Sequence, residues 1–198
     1  MKYVFFIFAC ATALTFVQCA EATVVDSENG ASDAAVPTLQ DTINRGEYLV
    51  SAIGCHDCHS PKRMGEHGPE LIPELVLSGY QASQPFNPPA CDGLNQGWAL
   101  FYPDLTATIG PWGTSFAANL TSDPTGIGSW SLEQFMTAIR EGKSKGLKAN
   151  RDILPPMPWP MYRNLSDEDL ASIFYYLKST KPVSNVVPPP VPPVQVEG

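Results

Sequence analysis

Apolar positions follow different rhythms in different parts of the chain. After Met1-Lys2-Tyr3, positions 4 to 17 (VFFIFACATALTFV) form an uncharged, nearly continuous apolar run. A basic start, a run of this length and the small residues after it describe an export signal over residues 1–22, because a spanning helix needs about 20 apolar residues. A period near 3.6 appears next in QDTINRGEYLVSAI, where Ile43, Tyr48, Leu49 and Ala52 share a helical face behind Asp41 as N-cap. It returns after Ser131-Leu132-Glu133-Gln134, a capping box in which Gln134 reaches back, with Trp130 and Phe135 as a staple. Phe135, Met136 and Ile139 carry that helix to a stop at Gly142. The same device recurs at Ser166 to Asp169, with Leu165 and Leu170 as staple and Leu170, Ile173, Phe174 and Leu177 as the stripe, ending near Lys178 before Pro182.

Between these helices lies a long excursion, residues 60 to 117, rich in Pro, Gly, Ser and Asn. No period persists in it beyond a possible helical turn at Pro73 to Leu77. Such a loop is expected to be functional or to cover something large and apolar. Residues 23–40 read as an acidic flexible linker and residues 184–198, VPPPVPPVQVEG in the main, as a proline-rich tail extended as polyproline II. The folded domain is therefore expected over residues 41–183.

Composition narrows the function. Acidic residues outnumber basic ones 20 to 12, giving a net charge of -8 in 198 residues. Nucleic acid demands a basic face and is excluded as a partner. The cysteines number five, and an odd count cannot close into a disulfide framework. Cys10 leaves with the signal. Cys19 either departs with it, if cleavage follows Ala20-Glu21-Ala22, or becomes the acylated first residue of a lipoprotein and a membrane anchor.

Cys55-His56-Asp57-Cys58-His59 carries the chemistry. The C-x-x-C-H order reads as attachment of a c-type haem: each thiol adds across a haem vinyl group, and the following histidine ligates iron from one face. A thioredoxin-like pair lacks its strand context here, and zinc would need ligands that Cys91 and His67 supply poorly. Iron that carries electrons needs a sixth ligand. Met157 stands in Pro155-Pro156-Met157-Pro158-Trp159-Pro160-Met161, where prolines fix the backbone and remove N–H donors, so a soft thioether can be held rigidly. Met161 is the runner-up, with Met64 and His67 as further candidates.

Helix, CHDCH, Pro-rich methionine segment and the closing IFYYLKS together resemble the bacterial periplasmic class I, monohaem cytochrome c domains, which are related to the cytochrome c subunits of membrane dehydrogenases. The resemblance covers roughly residues 41 to 183. It implies an all-α class I fold around one haem c per chain, covalent at Cys55 and Cys58, with His59 proximal and Met157 distal. It also implies a crossing of the first and last helices with Gly46 and Val50 opposite Ile173 and Tyr176. The Gly68-Pro69 pair resembles the family's glycine-proline whose carbonyl accepts from the proximal histidine, with Pro61 as competitor. Asn119, Arg151 and Trp159 are candidate propionate partners. The excursion exceeds what small family members carry; its Trp98, Phe101, Tyr102 and Trp112 could cover the haem edge but are expected to form a satellite core.

The function expected is electron transfer in the periplasm, with no catalytic residue of its own, between a dehydrogenase or quinol-oxidising complex and an acceptor such as a terminal oxidase. A fixed subunit of a larger oxidoreductase is the alternative, and an open-site haem enzyme or gas sensor the least favoured. Cys91, left alone, is expected to be buried.

Overall fold

A computed structural model describes residues 36–87 and 96–193. The export signal, Cys10, Cys19, most of the linker, Cys91 and the last five residues lie outside the described residues.

The frame is helical. Helix α1, Leu39–Ala52, is capped by Thr38 rather than the expected Asp41: Asp41 occupies the third position, and the two residues form a reciprocal capping box. The helix therefore begins inside what composition marked as linker. Helix α5, Asp167–Ser179, follows the Ser166 cap, whose hydroxyl accepts from the Asp169 N–H. These two cross at Gly46, where any Cβ would collide with the Ser172 carbonyl and come within 2.7 Å of Tyr176 Cβ. The glycine lets the backbones approach and bury Leu49, Val50, Ile173 and Leu177 between them. Helix α3, Leu132–Glu141, is capped by Ser131 and ends at Gly142 in the left-handed region, φ 67°. Phe135 lies against Phe174, ring centroids 5.6 Å apart. Gln134 does not return to its own cap; its amide donates to the Lys145 carbonyl in the loop beyond. The short helices α2, Cys55–His59, and α4, Trp159–Tyr162, complete the frame.

The expectation of an all-α chain is corrected by two small antiparallel sheets inside the excursion. Strands β1, Lys62–Gly65, and β2, Gly68–Leu71, form a hairpin closed by Glu66-His67. Strands β3, Leu100–Phe101, β4, Ala107–Gly110, and β5, Gly113–Phe116, form a three-stranded sheet in sequential order. Both tight hairpins have two residues between their strands and a positive-φ glycine opening the second strand, Gly68 at 129° and Gly113 at 91°. Strands of four residues are too short for a period to register against proline and glycine.

A satellite core does form; of the expected aromatics it contains Tyr102, joined by others. Tyr80, Phe86, Tyr102 and Phe116 stack on one another with centroids 4.7 to 6.4 Å apart. Trp98 and Phe101 are exposed, and Trp112 lies over Gly110. The C-terminal segment is also not a free extension. Asn185 is buried and donates to the Ser78 and Tyr80 carbonyls at 2.8 and 2.9 Å, while Val191 and Thr114 exchange backbone hydrogen bonds of 2.8 and 3.0 Å. The proline-rich strand is tied to the excursion because the satellite core leaves unpaired carbonyls that its amides satisfy.

Candidate functional site

Helix α1 ends at Ile53, and Gly54 turns the chain through the left-handed region, φ 78°, into α2. This turn sets Cys55 and His59 in one cleft with Leu170, Ile173 and Leu177 of α5. Cys55 and Cys58 are half-buried and unpaired, while His59 is buried. Burial pushes the Cys55 thiol up to about 12 and raises that of Cys58. Burial likewise lowers the His59 imidazole, against the opposing effect of its hydrogen bond to Ala118, and favours the neutral ring. His59 Nδ1 lies 2.7 Å from the Ala118 carbonyl oxygen. A carbonyl only accepts, so Nδ1 carries the proton and Nε2 keeps a free lone pair.

That contact corrects the expected acceptor, the carbonyl of the Gly68-Pro69 pair. Pro69 sits exposed in β2 opposite Met64, its segment consumed by the hairpin. The carbonyl that orients His59 comes instead from just beyond the excursion, 59 residues on.

An almost wholly apolar cleft opens beside His59, walled by Ile53, Leu120, Phe135, Ile139, Leu165 and the inner face of α5, with Cys55, Met157 and Tyr162 on its lining. Met157 and His59 thus share one cavity. Met161 and Met64 are exposed by 69% and 74% and His67 is exposed, so none of the three joins it.

The remaining expected residues are engaged elsewhere. Asn119 is buried, its amide donating to Val183 O and Thr125 Oγ1 at 2.8 and 3.1 Å and its oxygen accepting from Thr121. Arg151 is exposed and donates to the Asp152 carbonyl. Trp159 covers Gly142 and lies under the Arg163 guanidinium, 5.7 Å from the ring centroid. None of the three lines the cleft.

Tyr162 is the lining residue that sequence reasoning missed. Its hydroxyl donates to the Ile53 carbonyl at 2.7 Å, joining α4 to the end of α1, and burial first, then the neighbouring Cys55, raises it to about 12. Only its place just after the Pro-rich segment marked it. Among the described residues, no three His, Cys, Asp or Glu side chains come together as a metal cluster. The donors that do meet are a neutral imidazole with one free nitrogen, a thioether and the Cys55 thiol on the lining of an apolar slot, with Cys58 one helical turn from Cys55. That set fits a covalently held haem, which needs soft and imidazole ligands and a dry wall.

No family model matches the chain. It is similar to the gluconate 2-dehydrogenase cytochrome c subunit of Pantoea cypripedii, 34% identical over 145 residues, which is 72% of this chain and 24% of that one. The cytochrome c subunit of alcohol dehydrogenase (quinone) from Gluconobacter oxydans is 37% identical over 144 residues, 72% of this chain and 22% of the relative. The fructose dehydrogenase cytochrome subunit of Gluconobacter japonicus is 30% identical over 145 residues, again 72% of this chain and 22% of the relative. The chain spans about a quarter of the length of these relatives.

Proposed function

The chain is a cytochrome c domain related to the cytochrome c subunits of dehydrogenases, and we propose that it carries single electrons through one haem c held in the cleft of Cys55, His59 and Met157. The observation that carries this reading is that these three side chains line one apolar cavity. When bound, the haem supplies a ferric/ferrous couple. Cys55 and Cys58 would hold it as thioethers, and His59 through Nε2 and Met157 through its sulfur would ligate the iron. An imidazole–thioether pair favours the ferrous state and raises the potential. Ala118 fixes the imidazole plane, and the walls from α3 and α5 exclude water. In this reading the helical frame is a class I cytochrome c fold, and the excursion is an addition to it.

The periplasm is the proposed compartment, reached by the signal over residues 1–22, with Cys19 as an optional lipid anchor. The described residues contain no helix long and apolar enough to cross a membrane. A dehydrogenase or quinol-oxidising complex is the proposed donor. Permanent membership in such a complex is favoured by one observation: the relatives are named as subunits.

Charge around Met157 runs against the acidic whole. Residues 140–163 carry Arg140, Lys143, Lys145, Lys148, Arg151 and Arg163 against only Glu141 and Asp152. With Arg140, Lys143 and Lys148 paired to Asp167, Asp152 and Glu141, the chain keeps Lys145, Arg151 and Arg163 in this segment to meet an acidic partner face. Its reduction rate by such a partner should fall several-fold between roughly 10 and 150 mM salt as the screening length shortens.

Intact mass of the mature chain should show one covalently added haem. The reduced protein should resist carbon monoxide, whereas Met157→Ala should bind it rapidly at a lowered potential. Rapid binding by the unaltered protein would sink the closed-site reading.

A further inference from the structure

Helix α2 ends in an unusual way. Ser60, its C-cap, is extended, and the next residue is Pro61, which has no N–H to offer the helix's last carbonyls. The Ser60 N–H donates to His56 O at 3.3 Å, but Pro61 offers nothing to the carbonyls that follow, and Lys62 supplies donors there. Its ammonium nitrogen lies 3.3 Å from His56 O, 2.6 Å from Asp57 O and 3.1 Å from Ser60 O, all in the final turn of the CHDCH helix. A fourth carbonyl, Asp104 O at 3.0 Å, comes from the turn ahead of β4. Three N–H donors are shared among four acceptors, so one side chain closes the iron-ligand helix and fastens it to the excursion.

The same nitrogen carries a positive charge. It sits on carbonyls of the same five-residue helix that carries His59, which is about 7 Å long, so it stands on the order of 10 Å from the imidazole. At an effective dielectric of about 20, a unit charge at that range tilts a one-electron equilibrium roughly tenfold. A cation there favours the added electron.

We propose that Lys62 is a positioning residue for the iron ligand His59, and that through it the excursion holds both the geometry and the reduction potential of the haem. This rests on the cofactor reading above and adds to it a role for the excursion that the cleft itself does not require. Neighbouring bonds run the same way: the Leu77 N–H donates to Ser60 Oγ at 2.9 Å and the Gly79 N–H to the His59 carbonyl at 2.8 Å. Any loosening of the α2 end is therefore reported by those two amides.

The test uses the full haem-loaded chain, with midpoint potential and amide hydrogen exchange at Leu77 and Gly79 measured for Lys62→Met, Lys62→Gln and Lys62→Arg. In Lys62→Met, the ferric form should gain about tenfold, about 59 mV for a one-electron couple, and both amides should exchange faster. Lys62→Gln keeps N–H donors without charge, so it should show the potential shift with most of the protection retained. Lys62→Arg should retain the potential. An unchanged potential in both neutral variants overturns the proposal, whatever exchange does, since a merely structural lysine would alter exchange alone. Should Lys62→Met fail to fold, Lys62→Gln decides the potential. A chain lacking covalent haem overturns the cofactor reading instead; unchanged exchange in that chain's Lys62→Met variant would separately overturn the positioning role.

Discussion

The helical frame and the excursion solve the burial problem in opposite ways. In the frame, each helix carries its own start signal, its own stripe and its own stop, and the elements then meet at one close crossing through Gly46. In the excursion, strands of two to four residues have almost no autonomous stability. They are held by an aromatic cluster and by a chain segment some hundred residues away, through Asn185 and Val191. The frame is local first and tertiary second, whereas the excursion is tertiary throughout. Loss of one contact should therefore propagate differently in the two.

The largest effect is expected at the crossing. Gly46→Val forces a side chain into the Ser172 carbonyl and should cost about 3 kcal/mol, read as a lowered denaturant midpoint for the whole domain. Asn185→Ala should cost about 2 kcal/mol, because it strands the Ser78 and Tyr80 carbonyls. Limited proteolysis should then cut the C-terminal segment and the excursion first, with the α1–α5 core still protected; simultaneous loss of both would erase the distinction between the regions. Tyr162→Phe removes the bond to Ile53 O at the seam of the site and should cost about 1 kcal/mol. Its pH dependence has a definite sign. A phenol raised from 10 to about 12 stabilises the fold fully below pH 10, and that contribution disappears as pH climbs through about 12. The phenylalanine variant should lack this alkaline component when unfolding is followed across that window.

Legibility in the sequence follows the same division. Ser131, Ser166 and Gly142 act within one turn of chain, and each cap was readable from its neighbours. Thr38 was missed because the polar segment before it masks a cap whose partner is Asp41, the residue that drew the assignment. At the site, the CHDCH spacing and the proline-flanked Met157 were visible because covalent order encodes them. Pro69 was expected to orient His59 since it lies nearby in sequence, but a hairpin takes it away and Ala118 arrives from beyond the excursion. Asn119 has the polarity of a ligand-binding residue, yet its amide is used up by Val183, Thr125 and Thr121. Tyr162 and Lys62 act through backbone carbonyls that no residue pattern announces.

The short stretch Leu77 to Tyr80 lies hydrogen-bonded between the two ends of the excursion, to Ser60 and His59 on one side and to Ala117 and Leu120 on the other. Residues 81 to 116 consequently begin and end at one fixed point beside the histidine. Lengthening that ring adds only loop-closure entropy, about 0.6 kcal/mol per doubling of length, whereas replacing it would take Asp104 from Lys62 and Phe86, Tyr102 and Phe116 from Tyr80. The protein thus has a port at which new recognition surface can be gained by insertion over evolutionary time while the imidazole stays in register.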